Sequence, residues 1–176
     1  METYKIDNYL FKQIIDSKSI NKRIVEIAEQ INNDYQNKEP LFLITLTGGI
    51  FFGVELLKYI KLKCKCNVIS AKSYGNKMQT SGKVAIEMFD CSMKNEDIIL
   101  IEDVVDSGLT ITKLREEIQK MHPASLSVAT LINKPVCNKY DLYLDYVGFE
   151  VGEEFIIGCG LDYKSYGRNL NGIYSL

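Results

Sequence analysis

Residues 98–112, IILIEDVVDSGLTIT, constrain the fold of this 176-residue chain more than any other stretch. Ile98, Ile99, Leu100 and Ile101 form an uninterrupted aliphatic run, the pattern of a strand covered on both faces within a parallel sheet. Glu102 and Asp103 end the run. Two adjacent carboxylates are costly to bury, so they are expected at the strand's carboxyl end, where it meets solvent. Val104 and Val105 lead into Asp106-Ser107-Gly108-Leu109-Thr110, a small polar loop whose glycine permits backbone geometry that other residues resist. Ile111, Leu114, Ile118 and Met121 then recur at helical spacing. Such a loop aims backbone N–H groups and a helix N-terminus at one point, which suits a phosphate.

A second unit has the same plan. Leu41 to Leu46 reads as a buried strand, Thr47-Gly48-Gly49 as a loop, and Phe51, Phe52, Val54, Leu56 and Leu57 as the start of a helix. The two glycines let the backbone come close to an anion; a plain glycine turn is the other reading. Further strands are expected at 66–70, at 84–88, over Ser125 to Asn133 and within 142–150. Upstream, Leu10, Phe11, Ile14 and Ile15 predict a short amphipathic helix over 8–16. Ile20, Ile24, Ile27, Ala28 and Ile31 predict a longer one, capped by Ser17 or Ser19. The polar stretch from Asn32 to Pro40 ends it. Lys58, Lys61, Lys63 and Lys65 read as a solvated basic helix end. Residues 75–83, GNKMQTSGK, read as a mobile loop between two strands, a plausible lid.

Bulk properties exclude several classes. One α/β domain spanning 1–176 is the natural count for this length. Apolar residues at 46% and charged ones at 25% are those of a soluble globular protein, and a net charge of −2 gives no electrostatic lead toward nucleic acid. No apolar run approaches membrane-spanning length, and the N-terminus lacks the apolar core of a signal peptide, so the expected location is cytoplasmic. Five cysteines are scattered and odd in number, which favours reduced thiols, and Cys64-x-Cys66 has no zinc-site spacing. The single His122 precedes Pro123 after a helix, the place of an exposed or C-terminal capping residue. Any metal should therefore be a hard, oxygen-bound ion.

Three carboxylates beside a phosphate cradle need a ligand with hydroxyls and a cation as well as phosphate. A ribose 5-phosphate activated by a Mg²⁺-bound pyrophosphate meets all three demands. The Glu102-Asp103 pair, Asp106 and the Ser107-Gly108-x-Thr110 loop closely resemble the phosphoribosyl-pyrophosphate (PRPP) motif of type I phosphoribosyltransferases. Phe155-Ile156-Ile157-Gly158, Leu161-Asp162-Tyr163 and Arg168, with Tyr146 to Glu150 before them, resemble the purine-binding end of that family's 6-oxopurine branch. The resemblance runs from about residue 41 to 170. It implies a central, mostly parallel sheet flanked by helices, with a small hood formed by the C-terminal segment and partly by the N-terminus. It implies transfer of the phosphoribosyl group from PRPP to hypoxanthine or guanine, with Mg²⁺ as cofactor and a homo-oligomer as the assembly.

Site roles follow from the same resemblance. Asp106 would be the general base for the purine N7 proton. Glu102 and Asp103 would face the ribose hydroxyls and the metal, and Asp162 would hold a second metal or its waters near the base. Asp106, Ser107, Gly108, Leu109 and Thr110 would bind the 5-phosphate. Thr47, Gly48 and Arg168 would hold pyrophosphate; many members carry Lys where this chain has Thr47, and a cis peptide between the positions of Leu46 and Thr47. Lys134 would donate to the purine O6, Phe155 would stack on the ring, and the Ile156 carbonyl would accept from a guanine N2 amine. Ser73 and Tyr74 match the flexible catalytic loop. Two other readings stay open: a phosphoribosyltransferase for another base such as xanthine, and a regulator of the same fold that binds RNA. The adenine branch usually shows Ala-Thr-Gly-Gly in place of Asp106 to Leu109, and this chain does not.

Overall fold

The computed structural model describes residues 2–74, 83–88 and 92–176, with the backbone alone over 71–74 and 83–88. The strands are β1 (Thr3–Ile6), β2 (Tyr9–Ile15), β3 (Leu41–Leu46), β4 (Lys65–Tyr74), β5 (Lys83–Met88), β6 (Asp97–Val105), β7 (Ser125–Asn133), β8 (Tyr146–Glu150), β9 (Ile156–Ile157) and β10 (Ile173–Ser175). The helices are α1 (Ser17–Asp34), α2 (Gly49–Leu57) and α3 (Leu109–Gln119). Six strands form the main sheet in the order β5-β4-β3-β6-β7-β8. All neighbours in it run parallel except β4 and β5, which are antiparallel at one edge.

The uninterrupted apolar runs do what their pattern requires. Phe42, Ile44, Ile99 and Ile101 face α1 and α2, where they meet Ile24, Ile27, Ile31, Phe52 and Leu56. Leu41, Leu43, Ile98 and Leu100 face the other way, onto Ile111, Leu114 and Ile118 of α3. Every strand in the parallel set therefore ends on the same side of the sheet. That side collects the loops after β3, β6 and β7, as open α/β sheets do at their ligand sites. At the outer edge, Arg23 of α1 donates to the carbonyls of Val147 and Gly148 and so satisfies acceptors that no further strand reaches.

Four strands, β1-β2-β10-β9, form a separate small antiparallel sheet, the hood. Here the expected helix over 8–16 is wrong. Tyr9–Ile15 is a strand, paired with β1 through the two-residue turn Asp7-Asn8 and with β10 from the far end of the chain. The apolar positions 10, 11, 14 and 15 fit a helical stripe. Pairing across about 160 residues overrides it, and Phe11 is buried while Leu10 and Ile14 stay exposed. The readable signal was the turn, where Asp7 adopts φ 52, a geometry asparagine and aspartate tolerate. The expected cap of α1 also shifts: Asp16, not Ser17 or Ser19, accepts from the Ser19 N–H at 2.7 Å. This bond from the Ser19 backbone also holds the Asp16 carboxyl below its ordinary pKa.

The remaining expectations hold or fall outside the described residues. His122 is exposed, has φ 55 and closes the end of α3 through the Gln119 carbonyl. Lys58, Lys63 and Lys65 pair with Glu55, Glu39 and Glu96 on the surface, as a solvated basic end would. The expected lid, 75–83, lies outside the described residues except for Lys83, which belongs to β5.

Candidate active site

The carboxyl ends of β3, β6 and β7 and the hood surround a cavity of about 430 Å³. Thr47, Gly48, Glu102, Asp103, Asp106, Ser107, Gly108, Thr110, Lys134, Phe155, Ile156, Asp162 and Arg168 all line it. Leu109 does not; its side chain turns into the protein at the first turn of α3, and its backbone N–H donates to Ser107 Oγ at 3.4 Å. Ser73 and Tyr74 lie at the end of β4, in register with Val84 and Lys83.

The loop after β6 is built for exposed amides. Gly108 caps α3 with φ 83, and a Cβ there would come within 2.3 Å of Leu142. The neighbouring turn braces this loop. The Lys139 N–H donates to the Ser107 carbonyl at 3.0 Å, and the Asn138 amide, in the orientation that satisfies both its ends, donates to the carbonyls of Asp106 and Lys134. Asp106 itself is exposed at the cavity.

The acidic pair does not sit as its sequence suggests. Strand β6 continues to Val105, so Glu102 is an inward strand residue, only 7% exposed, while Asp103 is half-buried. Burial, and then the adjacent Asp103 carboxylate, push the Glu102 pKa well above the usual range. Thr45 Oγ1 lies 2.9 Å from the Ile101 carbonyl and 2.8 Å from Glu102 Oε1. One hydroxyl has one hydrogen, so Thr45 shares it between the Ile101 carbonyl and Glu102 Oε1, which also accepts from the Asp103 N–H at 3.1 Å. Sequence reading missed Thr45, whose only signal was a lone hydroxyl in an otherwise apolar strand.

The Thr47-Gly48-Gly49 loop is compressed from two sides. The Leu46–Thr47 peptide is cis. A Cβ at Gly48 would stand 1.6 Å from Asp103 Oδ2, and one at Gly160 would stand 2.2 Å from the Gly48 carbonyl oxygen. Gly160, at φ 102, is therefore a hood residue that fits against this loop, and sequence reading missed it. The Arg168 guanidinium donates to the Gly160 carbonyl and pairs with Asp162 Oδ1. Asp162 Oδ2 accepts from the Ser165 N–H at 2.6 Å.

Lys134 directly follows β7 and is 6% exposed. Its ammonium donates to the Glu154 carbonyl at 2.8 Å, which leaves two hydrogens for a ligand. Phe155 follows immediately and is 46% exposed at the cavity. The lining thus combines four carboxylates, an ammonium, a guanidinium and one aromatic ring. Among the described residues no cluster of three or more His, Cys, Asp or Glu could enclose a metal alone. The hard oxygens of Asp103 and Asp162 fit a Mg²⁺ that takes most of its ligands from substrate and water. No helix among the described residues is long and apolar enough to cross a membrane.

Comparison with known proteins gives a consistent picture. A family model described as phosphoribosyl transferase domain matches residues 11–164. A hypoxanthine-guanine phosphoribosyltransferase of Bacillus subtilis is 37% identical over 160 residues, 90% of this chain and 89% of that relative. A hypoxanthine-guanine-xanthine phosphoribosyltransferase of Tritrichomonas foetus is 34% identical over 170 residues, 96% of this chain and 92% of the relative. The crystal structure of a hypoxanthine-guanine phosphoribosyltransferase from Bacillus anthracis superposes with a TM-score of 0.89 at 35% identity, over 94% of this chain and 98% of that one.

Proposed function

Because this chain belongs to the phosphoribosyl transferase family, we propose that it is the purine-salvage enzyme that transfers the 5-phosphoribosyl group of PRPP to hypoxanthine or guanine, giving IMP or GMP and pyrophosphate. The observation that carries the base assignment is Lys134. A buried ammonium beside an exposed ring, in the same cavity as the Asp106 loop, suits a purine that presents an acceptor at position 6. Adenine would set an amino donor against that donor, and sites built on one buried hydrogen-bonding group reject the wrong partner strongly.

The chain's own groups divide the work as follows. The N–H groups and hydroxyls from Ser107 to Thr110, at the start of α3, hold the 5-phosphate with help from the helix N-terminus. Glu102 and Asp103 face the ribose hydroxyls. Backbone groups of Thr47 and Gly48, with Arg168, hold pyrophosphate; Arg168 has to share or leave Asp162 to do so. Mg²⁺, held through Asp103 and Asp162 with Glu102 behind, would supply charge neutralisation for the leaving pyrophosphate. Phe155 stacks on the purine, Lys134 donates to O6, and the Ile156 carbonyl accepts from a guanine N2 amine. As the bond from N9 to C1′ forms and the bond from C1′ to pyrophosphate breaks, Asp106 takes the N7 proton.

A homo-oligomer goes with this reading, supported by exposed Phe51 and Val54 on α2 and Tyr59 beyond it. A cytoplasmic location suits the four described free cysteines. The deciding experiment offers purified protein PRPP and Mg²⁺ with hypoxanthine, guanine, xanthine, adenine or uracil, and follows nucleotide and pyrophosphate. Turnover of the 6-oxopurines with none of adenine or uracil is the expected result. Turnover of adenine would overturn the role of Lys134, and turnover of no base would overturn the activity.

A further inference from the structure

Among the described residues Phe155 is the one aromatic ring in the cavity lining, and it stands on irregular chain just before β9. Its backbone is tied by the Leu176 N–H, which donates to the Phe155 carbonyl at 3.1 Å. Nothing in that bond fixes the ring. A half-exposed phenylalanine in a loop would ordinarily sample several rotamers and would lose that freedom on stacking against a flat ligand.

Three other rings restrain it. Tyr163 stands perpendicular to Phe155, with centroids 5.8 Å apart and an interplanar angle of 88°. Phe11, fully buried in β2, lies tilted at 6.4 Å from Phe155 and 6.3 Å from Tyr163. Tyr9, two residues earlier, meets Tyr163 edge to face at 5.5 Å. These are favourable geometries for aromatic quadrupoles. These contacts leave Phe155 46% exposed at the cavity, with ring surface available to a flat ligand. Lys164 adds a second tie: its ammonium lies 5.1 Å from the centre of the Tyr163 ring and pairs with Asp7 in the β1–β2 turn at 2.9 Å. The hairpin thus grips Tyr163 at both its ring and its neighbour.

We propose that Tyr163 is a positioning residue for the purine: backed by Phe11 and Tyr9 of the N-terminal hairpin, it holds the Phe155 ring in the orientation that stacks on the base. The hairpin, which contributes no group to the cavity lining, thereby acts on base binding through one perpendicular ring contact. This rests on the reading of Phe155 as the stacking residue, and the test separates the two.

Four variants are compared by steady-state kinetics with hypoxanthine and PRPP: Tyr163→Leu, Tyr163→Phe, Phe155→Leu and the double Tyr163→Leu/Phe155→Leu. Tyr163→Leu is expected to raise KM for hypoxanthine about 3–10-fold, the scale of one aromatic pair, with KM for PRPP within about 2-fold of wild type. Tyr163→Phe keeps the ring and should restore the wild-type value. The double variant should match Phe155→Leu alone, because a residue acting through Phe155 has nothing left to position. A purely structural role for Tyr163 would lower the melting temperature, or change both KM values together, without that split; either result overturns the proposal, as does additivity in the double variant. If Phe155→Leu leaves KM for hypoxanthine unchanged, the stacking assignment itself has failed and takes the proposal with it. Should Tyr163→Leu not fold, Tyr163→Met replaces it. A second readout uses Phe155→Trp, the only tryptophan in a chain that otherwise has none. Its fluorescence should respond to hypoxanthine, and adding Tyr163→Leu should weaken that response at a given base concentration; an undiminished response overturns the proposal.

Discussion

The loop after β6 and the hood face each other across one cavity, yet they are made in opposite ways. The loop is local: strand, acids, phosphate-binding turn and helix follow within about twenty residues, and each part is set by its immediate neighbours. The hood is assembled from both chain ends, with β2 pairing β10 and Phe11 packing on Tyr163 and Phe155. On the proposed roles, the local region carries the groups for the 5-phosphate, the ribose and the proton transfer, and the long-range region carries the ring that stacks on the base. The groups for the 5-phosphate and the ribose thus come ready-made in one segment, whereas pyrophosphate and base recognition wait for the whole fold.

Substitutions that hit one region and spare the other test this contrast. The largest effect is expected at Asp106. Asp106→Asn removes the proton acceptor but leaves the amides of the phosphate loop in place, so kcat should fall about 10²–10⁴-fold with little change in PRPP affinity. Turnover at the wild-type rate would break the assignment of chemistry to the local region.

Lys134 belongs to both regions, since it directly follows β7 while the hood's Glu154 carbonyl holds its ammonium. Lys134→Gln should therefore damage selectivity more than PRPP binding. A loss of about 10²-fold or more in the preference for hypoxanthine over adenine is expected from competition between the two bases. Unchanged preference would show that the hood does not read position 6.

Gly160 is where the two regions touch. Alanine there strains a backbone at φ 102 and drives a methyl into the Gly48 carbonyl. The expected cost is about 1–3 kcal/mol of stability, seen in denaturant unfolding, with a several-fold rise in KM for PRPP because the pyrophosphate loop is displaced. A loss of stability with PRPP affinity intact would mean that the loop adjusts independently of the hood, which would weaken the contact between the two regions.

How much was legible follows the same division. The strand–loop–helix units at 41–57 and 98–119 could be read because buried parallel strands are nearly continuous apolar runs and their loops are polar and small. The cavity-lining residues of their loops could be read with them, though Thr45 within the first strand could not. In the hood, Phe155, Asp162 and Arg168 were found by resemblance alone, since nothing in their local sequence says that they converge. The strand at Tyr9–Ile15 was misread because its apolar positions fit a helical stripe and one of its two partners, β10, lies about 160 residues away. Thr45, Asn138 and Gly160 went unrecognised, and Tyr163 was read only as part of a motif, for a related reason: each meets a neighbour that only the folded chain supplies. The burial of Glu102 was missed because a strand that continues past its apolar run carries a carboxylate inward.

That buried carboxyl gives the smallest effect and the finest test of the contrast. Its pKa is raised first by burial and then by Asp103, so the folded chain holds a proton that the unfolded chain has released over the window between the ordinary glutamate pKa and the raised value. Stability from this group is fully present below that window and is lost as pH rises through it. Glu102→Gln keeps the shape and removes the ionisation. With EDTA present to exclude metal, the variant and the wild type should melt together near pH 4, and the variant should melt higher as pH rises, by about 2–4 °C for each ~1 kcal/mol released. The same substitution should weaken PRPP binding, because the ribose loses a carboxylate. A melting gap that stays constant with pH would show that Glu102 ionises freely in the folded chain. The local region would then hold its acids without strain, and the cost of placing charge beside the sugar would have to lie elsewhere.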